Sequence, residues 1–141
     1  MTKRVIVVGG GAAGMLAALF AARAGGSVEI LERNEKLGKK LYITGKGRCN
    51  LTNAAEKDPF FRHILRNPRF LYASFAALDN AGLMDLVEGM GVPLKVERGN
   101  RVFPESDSAS AVLHALRTYR KEHGVRVVDD WVHAAMHLST D

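Results

Sequence analysis

The fold is decided near the start of the chain, in Val5-Ile6-Val7-Val8-Gly9-Gly10-Gly11-Ala12-Ala13-Gly14. Four consecutive β-branched residues make a short apolar run, the pattern of a strand buried on both faces of a parallel sheet. The glycines that follow give G-x-G-x-x-G at Gly9, Gly11 and Gly14. Alone that spacing is a weak signal, but here it joins a strand to a helix, which is where its mechanism needs it. The first glycine permits the tight turn, the second lets a pyrophosphate reach the backbone, and the third lets the helix lie close to the strand. Ala12 and Ala13 open that helix, whose N-terminus offers free N–H groups and a positive dipole end to phosphate.

Working outward, Ala12 to Ala24 is rich in alanine and leucine and reads as a helix, apolar nearly all round. Gly25-Gly26 ends it, and Ser27 to Leu31 reads as a second strand. The result is a β-α-β unit of about thirty residues, the usual size of that motif. Glu32 stands at the end of the second strand, eighteen residues after Gly14. A carboxylate there accepts hydrogen bonds from a ribose diol and repels a 2′-phosphate, which disfavours NADP at this site. The unit calls for a dinucleotide and does not distinguish FAD from NAD.

Residues 33–53 have no usable periodicity and read as a long loop. From Arg33 to Arg48 there are six cations and one acid, which accounts for the whole net charge of +5. Such a run is most often a solvated basic loop; the sharper reading is an anion site, for a phosphate ligand or nucleic acid. Only Tyr42 lies in it for base stacking, so nucleic acid ranks last among the partners. Inside the loop, LYITGKGRCNLTN (Leu41 to Asn53) mixes residues that no ordinary helix or strand favours. Gly45 and Gly47 permit close backbone approach. Lys40, Lys46 and Arg48 are available to neutralise a diphosphate or a reduced flavin. Thr44, Asn50, Thr52 and Asn53 offer hydrogen bonds to ribityl hydroxyls or ring edges. Cys49 beside Arg48 has the setting of a low-pKa thiolate. It has no C-x-x-C partner, and a small residue packed in a tight loop is the favoured reading.

Further on, Phe60 to Ala77 reads as helical with an interruption near Pro68, and Asn80 as the cap of a helix carrying Leu83, Leu86, Val87 and Met90. PLKVERGNRVFP reads as a hairpin turning at Gly99-Asn100. Ser106 or Ser108 caps a helix with Val112, Leu113, Leu116 and Tyr119 on one face, and Val125 to Val128 is a third strand. His133 and His137 have zinc-ligand spacing but lack the glutamate of H-E-x-x-H, so chance placement is favoured. A single cysteine excludes an internal disulfide and points to a reducing, cytoplasmic setting. No apolar run reaches the roughly 18 residues of a membrane span.

Three blocks, VIVVGGGAAGMLAAL, ILERNEKLGKKLYITGKGRCNLTN and GVPLKVERGNRVFPESDSAS, together resemble the HI0933-like flavoproteins. The resemblance runs from Lys3 to about Val128, and its middle block is absent from generic dinucleotide folds. It implies an α/β, Rossmann-like FAD-binding domain, incomplete, with a helical region and a β-hairpin inserted before the third parallel strand. It implies an oxidoreductase whose members are described as aminoacetone oxidases or bile-acid reductases. In these NAD(P)H reduces FAD, and the flavin then reduces a small-molecule substrate or oxygen. FAD would lie over Gly9, Gly11, Ala12, Ala13 and Gly14, with Glu32 and Arg33 at the adenosine ribose. Lys40, Thr44, Gly45, Gly47, Arg48, Cys49 and Asn50 would run toward the flavin, and Arg101 to Pro104 with Ser106 would lie near or beneath it. Val132 matches, at loose spacing, the strand residue that meets the adenine. Such flavoproteins run to several hundred residues, so the chain reads as an N-terminal fragment. Its parts are 1–53 for cradle and cofactor loop, 54–105 for helices and hairpin, and 106–141 for helix and strand. The substrate domain and the returning C-terminal FAD segment are missing. The rivals are an NAD-binding dehydrogenase fragment and a basic nucleic-acid-binding module.

Overall fold

The computed structural model describes residues 2–129; Val132, His133 and His137 lie outside them. The elements are β1 (Arg4–Val8), α1 (Ala12–Arg23), β2 (Ser27–Glu32), β3 (Thr52–Asn53), α2 (Lys57–Arg62) and α3 (Tyr72–Ala77). There follow α4 (Asn80–Gly89), β4 (Leu94–Glu97), β5 (Arg101–Pro104), α5 (Ala109–Glu122) and β6 (Arg126–Asp129). Strands β1, β2 and β6 form a parallel sheet in the order β1-β2-β6, and β3, β5 and β4 form an antiparallel one with β5 in the middle. This is a Rossmann-type α/β fold with helices and a hairpin between the second and third parallel strands.

The core lies on one face of the parallel sheet. Met15, Ala18 and Leu19 of α1 meet Val28 and Ile30 of β2, and Val112, Leu113 and Leu116 of α5. The spacing of the α5 residues gives that helix one apolar stripe, as the sequence predicts. The opposite face differs from expectation. Val5 to Val8 reads as doubly buried, yet Ile6 is 52% and Val8 69% exposed. Alternate side chains point to opposite faces, and among the described residues the helices cover only the side of Val5 and Val7. On the open side Glu29 is held by Arg4 at 2.7 Å and Arg126 at 2.5 Å. Helix α1 is likewise not enclosed all round, since Phe20 is 43% exposed.

One local expectation is overturned, and the interruption expected near Pro68 is present. Asp79, not Asn80, caps α4: its Oδ1 accepts from the Gly82 amide at 2.7 Å. Asn80 is the first helical residue, and its side chain instead donates to the carbonyls of Asn53 and Ala55 at 2.6 and 2.8 Å. The segment 60–77 is α2, a 3-10 turn at Pro68–Leu71 and then α3, because Asn67 takes φ +48° just before the proline. The long loop is mostly turns, but its last two residues form β3 and pair with Arg101 and Val102.

Candidate dinucleotide site

The turn between β1 and α1 uses its glycines in different ways. Gly9 has φ +100°, which side chains resist. A Cβ on Gly14 would lie 1.8 Å from the Gly9 carbonyl oxygen, so that glycine sets how closely α1 approaches β1. A Cβ on Gly10 would lie 2.1 Å from Leu37 and 3.0 Å from Glu32 Oε2. Gly11 is the exception: its φ is −74°, and nothing lies within 4 Å of an added Cβ. The fold itself has no use for the missing side chain at Gly11. What it leaves is open space in front of a helix N-terminus.

That terminus is uncapped. Gly11 supplies no side-chain cap, the first turn holds no acidic residue, and the first backbone bond closes from Met15 N to Gly11 O at 2.9 Å. The amides of Ala12, Ala13 and Gly14 are therefore left without an intrahelical acceptor. Ala12 and Ala13 are exposed and Gly14 is half-buried. An anion fits here by both hydrogen bonding and helix dipole.

Glu32 stands beside this turn and is buried. Its Oε2 accepts from Gly10 N at 2.6 Å, and its Oε1 accepts from Asn34 N at 2.8 Å and Asn34 Nδ2 at 2.5 Å. Burial disfavours the charge, but the hydrogen bonds from Asn34 and Gly10 and the nearby Arg33 outweigh it and hold the pKa below the usual carboxylate value. A carboxylate has about four acceptor positions, so about one remains, on Oε2. The segment after Glu32 lines a cavity of about 480 Å³ with Arg33, Asn34, Glu35, Lys36, Lys39 and Tyr42. Gly10 and Asn34 hold Glu32 in place through these hydrogen bonds. Of these, only the run of three glycines gave a hint in the sequence.

The second block closes on itself. Thr44–Gly47 is a 3-10 turn broken by left-handed residues, Gly45 at φ 57°, Lys46 at 58° and Gly47 at 87°, and Cys49 at 61° follows. Backbone bonds from Arg48 N to Gly45 O and from Cys49 N to Thr44 O tie it together. A Cβ on Gly45 would lie 2.8 Å from the Phe103 ring, so this glycine allows the loop to rest on β5. Val102, Phe103 and Pro104 are buried beneath, while Arg101 and Ser106 are exposed.

Arg48 is placed differently from the expectation that it faces a diphosphate. Its guanidinium pairs with Glu97 and with Asp107, and it lies 4.2 Å above the Phe103 ring. Lys95 completes the cluster, 2.6 Å from Asp107. The hydrogen bond from Arg48 lowers the Glu97 pKa, and those from Lys95 and Arg48 lower that of Asp107. Arg48 is so engaged with Glu97 and Asp107 that it is not free to activate Cys49. Burial raises that thiol's pKa against the bond to Thr44, and the residue is 0% exposed in the core. Lys40, Lys46 and Asn50 are exposed, and Thr44 is half-buried with its hydroxyl donating to Leu41 O at 3.0 Å. Asn53 bonds the hairpin turn at Gly99 O, 2.8 Å away. No cluster of metal-binding side chains and no helix long and apolar enough to cross a membrane occurs among the described residues.

The chain is 35% identical over 135 residues to a 3-dehydro-bile acid delta(4,6)-reductase of Clostridium scindens, covering 89% of this chain and 30% of that protein. It is 28% identical to a ribosomal RNA dihydrouridine synthase of Haemophilus influenzae, covering 87% and 30%. To the Escherichia coli protein of the same name it is 31% identical, covering 79% and 27%. It thus spans about 30% of the length of these curated relatives. The crystal structure of Thermovibrio ammonificans THI4 shares the fold, with a TM-score of 0.56 at 17% identity over 91% of this chain and 38% of that one. The profile of the HI0933-like protein Rossmann domain matches residues 3–138, and the chain belongs to the HI0933-like family.

Proposed function

We propose that this chain supplies the FAD-binding part of a cytoplasmic flavin-dependent oxidoreductase that takes hydride from NADH or NADPH and binds its substrate largely through residues outside this segment. The observation that carries it is the open space at Gly11 before an uncapped helix, beside an ionised and buried Glu32. The amides of Ala12, Ala13 and Gly14 would bind the pyrophosphate. Glu32 would accept one ribose hydroxyl at the free position on Oε2. Lys40, Lys46 and Asn50, all exposed in the second block, would face the rest of the cofactor. FAD, when bound, supplies the hydride relay; the protein supplies placement and electrostatics.

The relatives' names support a reaction class. A delta(4,6)-reductase acting on a 3-dehydro steroid and a synthase of dihydrouridine both concern a carbon–carbon double bond conjugated to a carbonyl. Reduction of such a bond adds a hydride to the β carbon and a proton to the α carbon, with NAD(P)H oxidised to NAD(P)⁺. The test is anaerobic: protein loaded with FAD is mixed with NADH or NADPH, and the visible flavin band is followed. Bleaching by either supports the donor. An unbleached flavin with both removes the donor from the proposal and leaves FAD binding standing.

A further inference from the structure

The loop of the second block holds a conformation that its own residues resist. Lys46 and Cys49 take φ 58° and 61° without being glycine, in the left-handed region that side chains disfavour. Such residues persist where surrounding groups over-determine them. Here three of those groups come from far along the chain: Glu97 closes β4, Phe103 lies in β5, and Asp107 lies between β5 and α5. All three meet Arg48. Its guanidinium pairs with Glu97, donates from Nε to Asp107 Oδ1 at 2.7 Å and lies 4.2 Å above the Phe103 ring. Lys95 binds the same two acids, 2.6 Å from Asp107 and 3.8 Å from Glu97. The loop is also tied at its ends, by Gly38 N to Gly10 O at 2.8 Å and by Leu51 N to Val102 O at 2.9 Å. Between those ties Arg48 reaches the hairpin, while Lys46 and Asn50 on either side of it are exposed.

We propose that Arg48 is a positioning residue: held by Glu97, Asp107 and the Phe103 ring, it fixes the left-handed turn from Lys46 to Cys49 so that Lys46 and Asn50 face the cofactor. The inference deepens the FAD reading above and rests on it. Two cations and two carboxylates leave the cluster neutral, so Arg48 offers a diphosphate no net charge. Turning it toward the cofactor would break two ion pairs and a ring contact, and would leave Glu97 and Asp107 to Lys95 alone. Charge for the cofactor then comes from Lys46, and the placement of that charge from Arg48. Arginine suits the task because its planar fork meets two carboxylates and a ring face together; lysine carries the charge without the fork.

The test pairs two readouts on the 141-residue chain: the FAD dissociation constant by equilibrium dialysis, and amide exchange followed residue by residue without FAD. A partly exposed ion pair or cation–ring contact is worth about two- to fivefold in an equilibrium, so losing all three should cost about tenfold or more. Arg48→Met should weaken FAD binding by that factor and speed exchange of the Cys49 amide to a similar degree. The double variant Glu97→Gln/Asp107→Asn, which leaves Arg48 in place, should do the same. In both, the Met15 amide of α1 should exchange as in the parent. Arg48→Lys should fall between Arg48→Met and the parent. Lys121→Met, which removes an exposed cation on α5, should match the parent and so controls for lost charge. Three results would overturn the proposal: unchanged Cys49 exchange in Arg48→Met, faster exchange with unchanged FAD affinity, or tighter FAD binding by the double variant, which would make Arg48 a phosphate ligand held in reserve. FAD uptake by the parent that Arg48→Met equals fails this inference alone. No FAD uptake by the folded parent fails the FAD reading and this inference with it.

Discussion

The two glycines Gly11 and Gly14 belong to one motif, yet substitution by alanine should separate their roles. At Gly14 the new methyl carbon would sit 1.8 Å from the Gly9 carbonyl oxygen. An ordinary carbon–oxygen contact is about 3.3 Å or longer, so α1 and β1 must separate by more than about 1 Å. The obstacle is backbone and cannot rotate away, which places the overpacking cost near the upper end of its range, about 3 kcal/mol. Better helix propensity returns about 1 kcal/mol. The net loss is about 2 kcal/mol, which lowers Tm by about 4–8 °C for a domain of this size. At Gly11 an added Cβ meets nothing and φ is already ordinary. Alanine there costs about 0.5–1 kcal/mol, through a poorer N-cap alone. Thermal melts of the two apoproteins by circular dichroism, with FAD retention measured beside them, make the comparison. Gly11→Ala should melt near the parent and retain less FAD; Gly14→Ala should melt lower. If Gly14→Ala melts like the parent, or Gly11→Ala proves the less stable of the two, the division of roles is wrong.

Asp79→Ala should cost about 1 kcal/mol in urea unfolding through loss of the α4 cap. Asn80→Ala should additionally loosen the junction at Asn53 and Ala55, visible as faster amide exchange in β3. The Glu32 carboxyl has a lowered folded pKa, so its contribution is present above the unfolded value of about 4.3 and is lost as pH falls through the folded one. Melts taken from neutral pH downward should show that loss below about pH 4, and Glu32→Gln should flatten it. The Cys49 thiol, buried and raised in pKa, should be silent to a thiol reagent in the native protein and react fully in denaturant; rapid native reaction would contradict its packing.

What was legible in the sequence is what local order encodes. A strand, a turn and a helix in direct succession give each motif glycine its role, and Gly99-Asn100 between two apolar runs gives the hairpin. The roles that depend on distant partners were hidden. Gly10 matters because Leu37 and Glu32 come to rest against it. Arg48 looked like a free cation until Glu97 and Asp107 arrived from the hairpin and the turn after it. Asp79 and Asn80 are both good caps by residue type, and only the position of the Asn53 and Ala55 carbonyls decides between them. Thr52-Asn53 is too short to show a period, and its pairing with β5 is wholly non-local. The apolar run of β1 says that a sheet strand is there, but not which elements cover each of its faces.

FAD is proposed to lie in the space before Gly11, with Glu32 on its ribose. Equilibrium dialysis of the folded chain against FAD and against NAD⁺, for the parent and for Gly11→Glu, tests it most directly. The parent should take up FAD in preference to NAD⁺, and the variant should lose that uptake while still giving the parent's circular dichroism spectrum. Preference for NAD⁺, no uptake of FAD by folded parent, or undiminished FAD uptake by Gly11→Glu would contradict it.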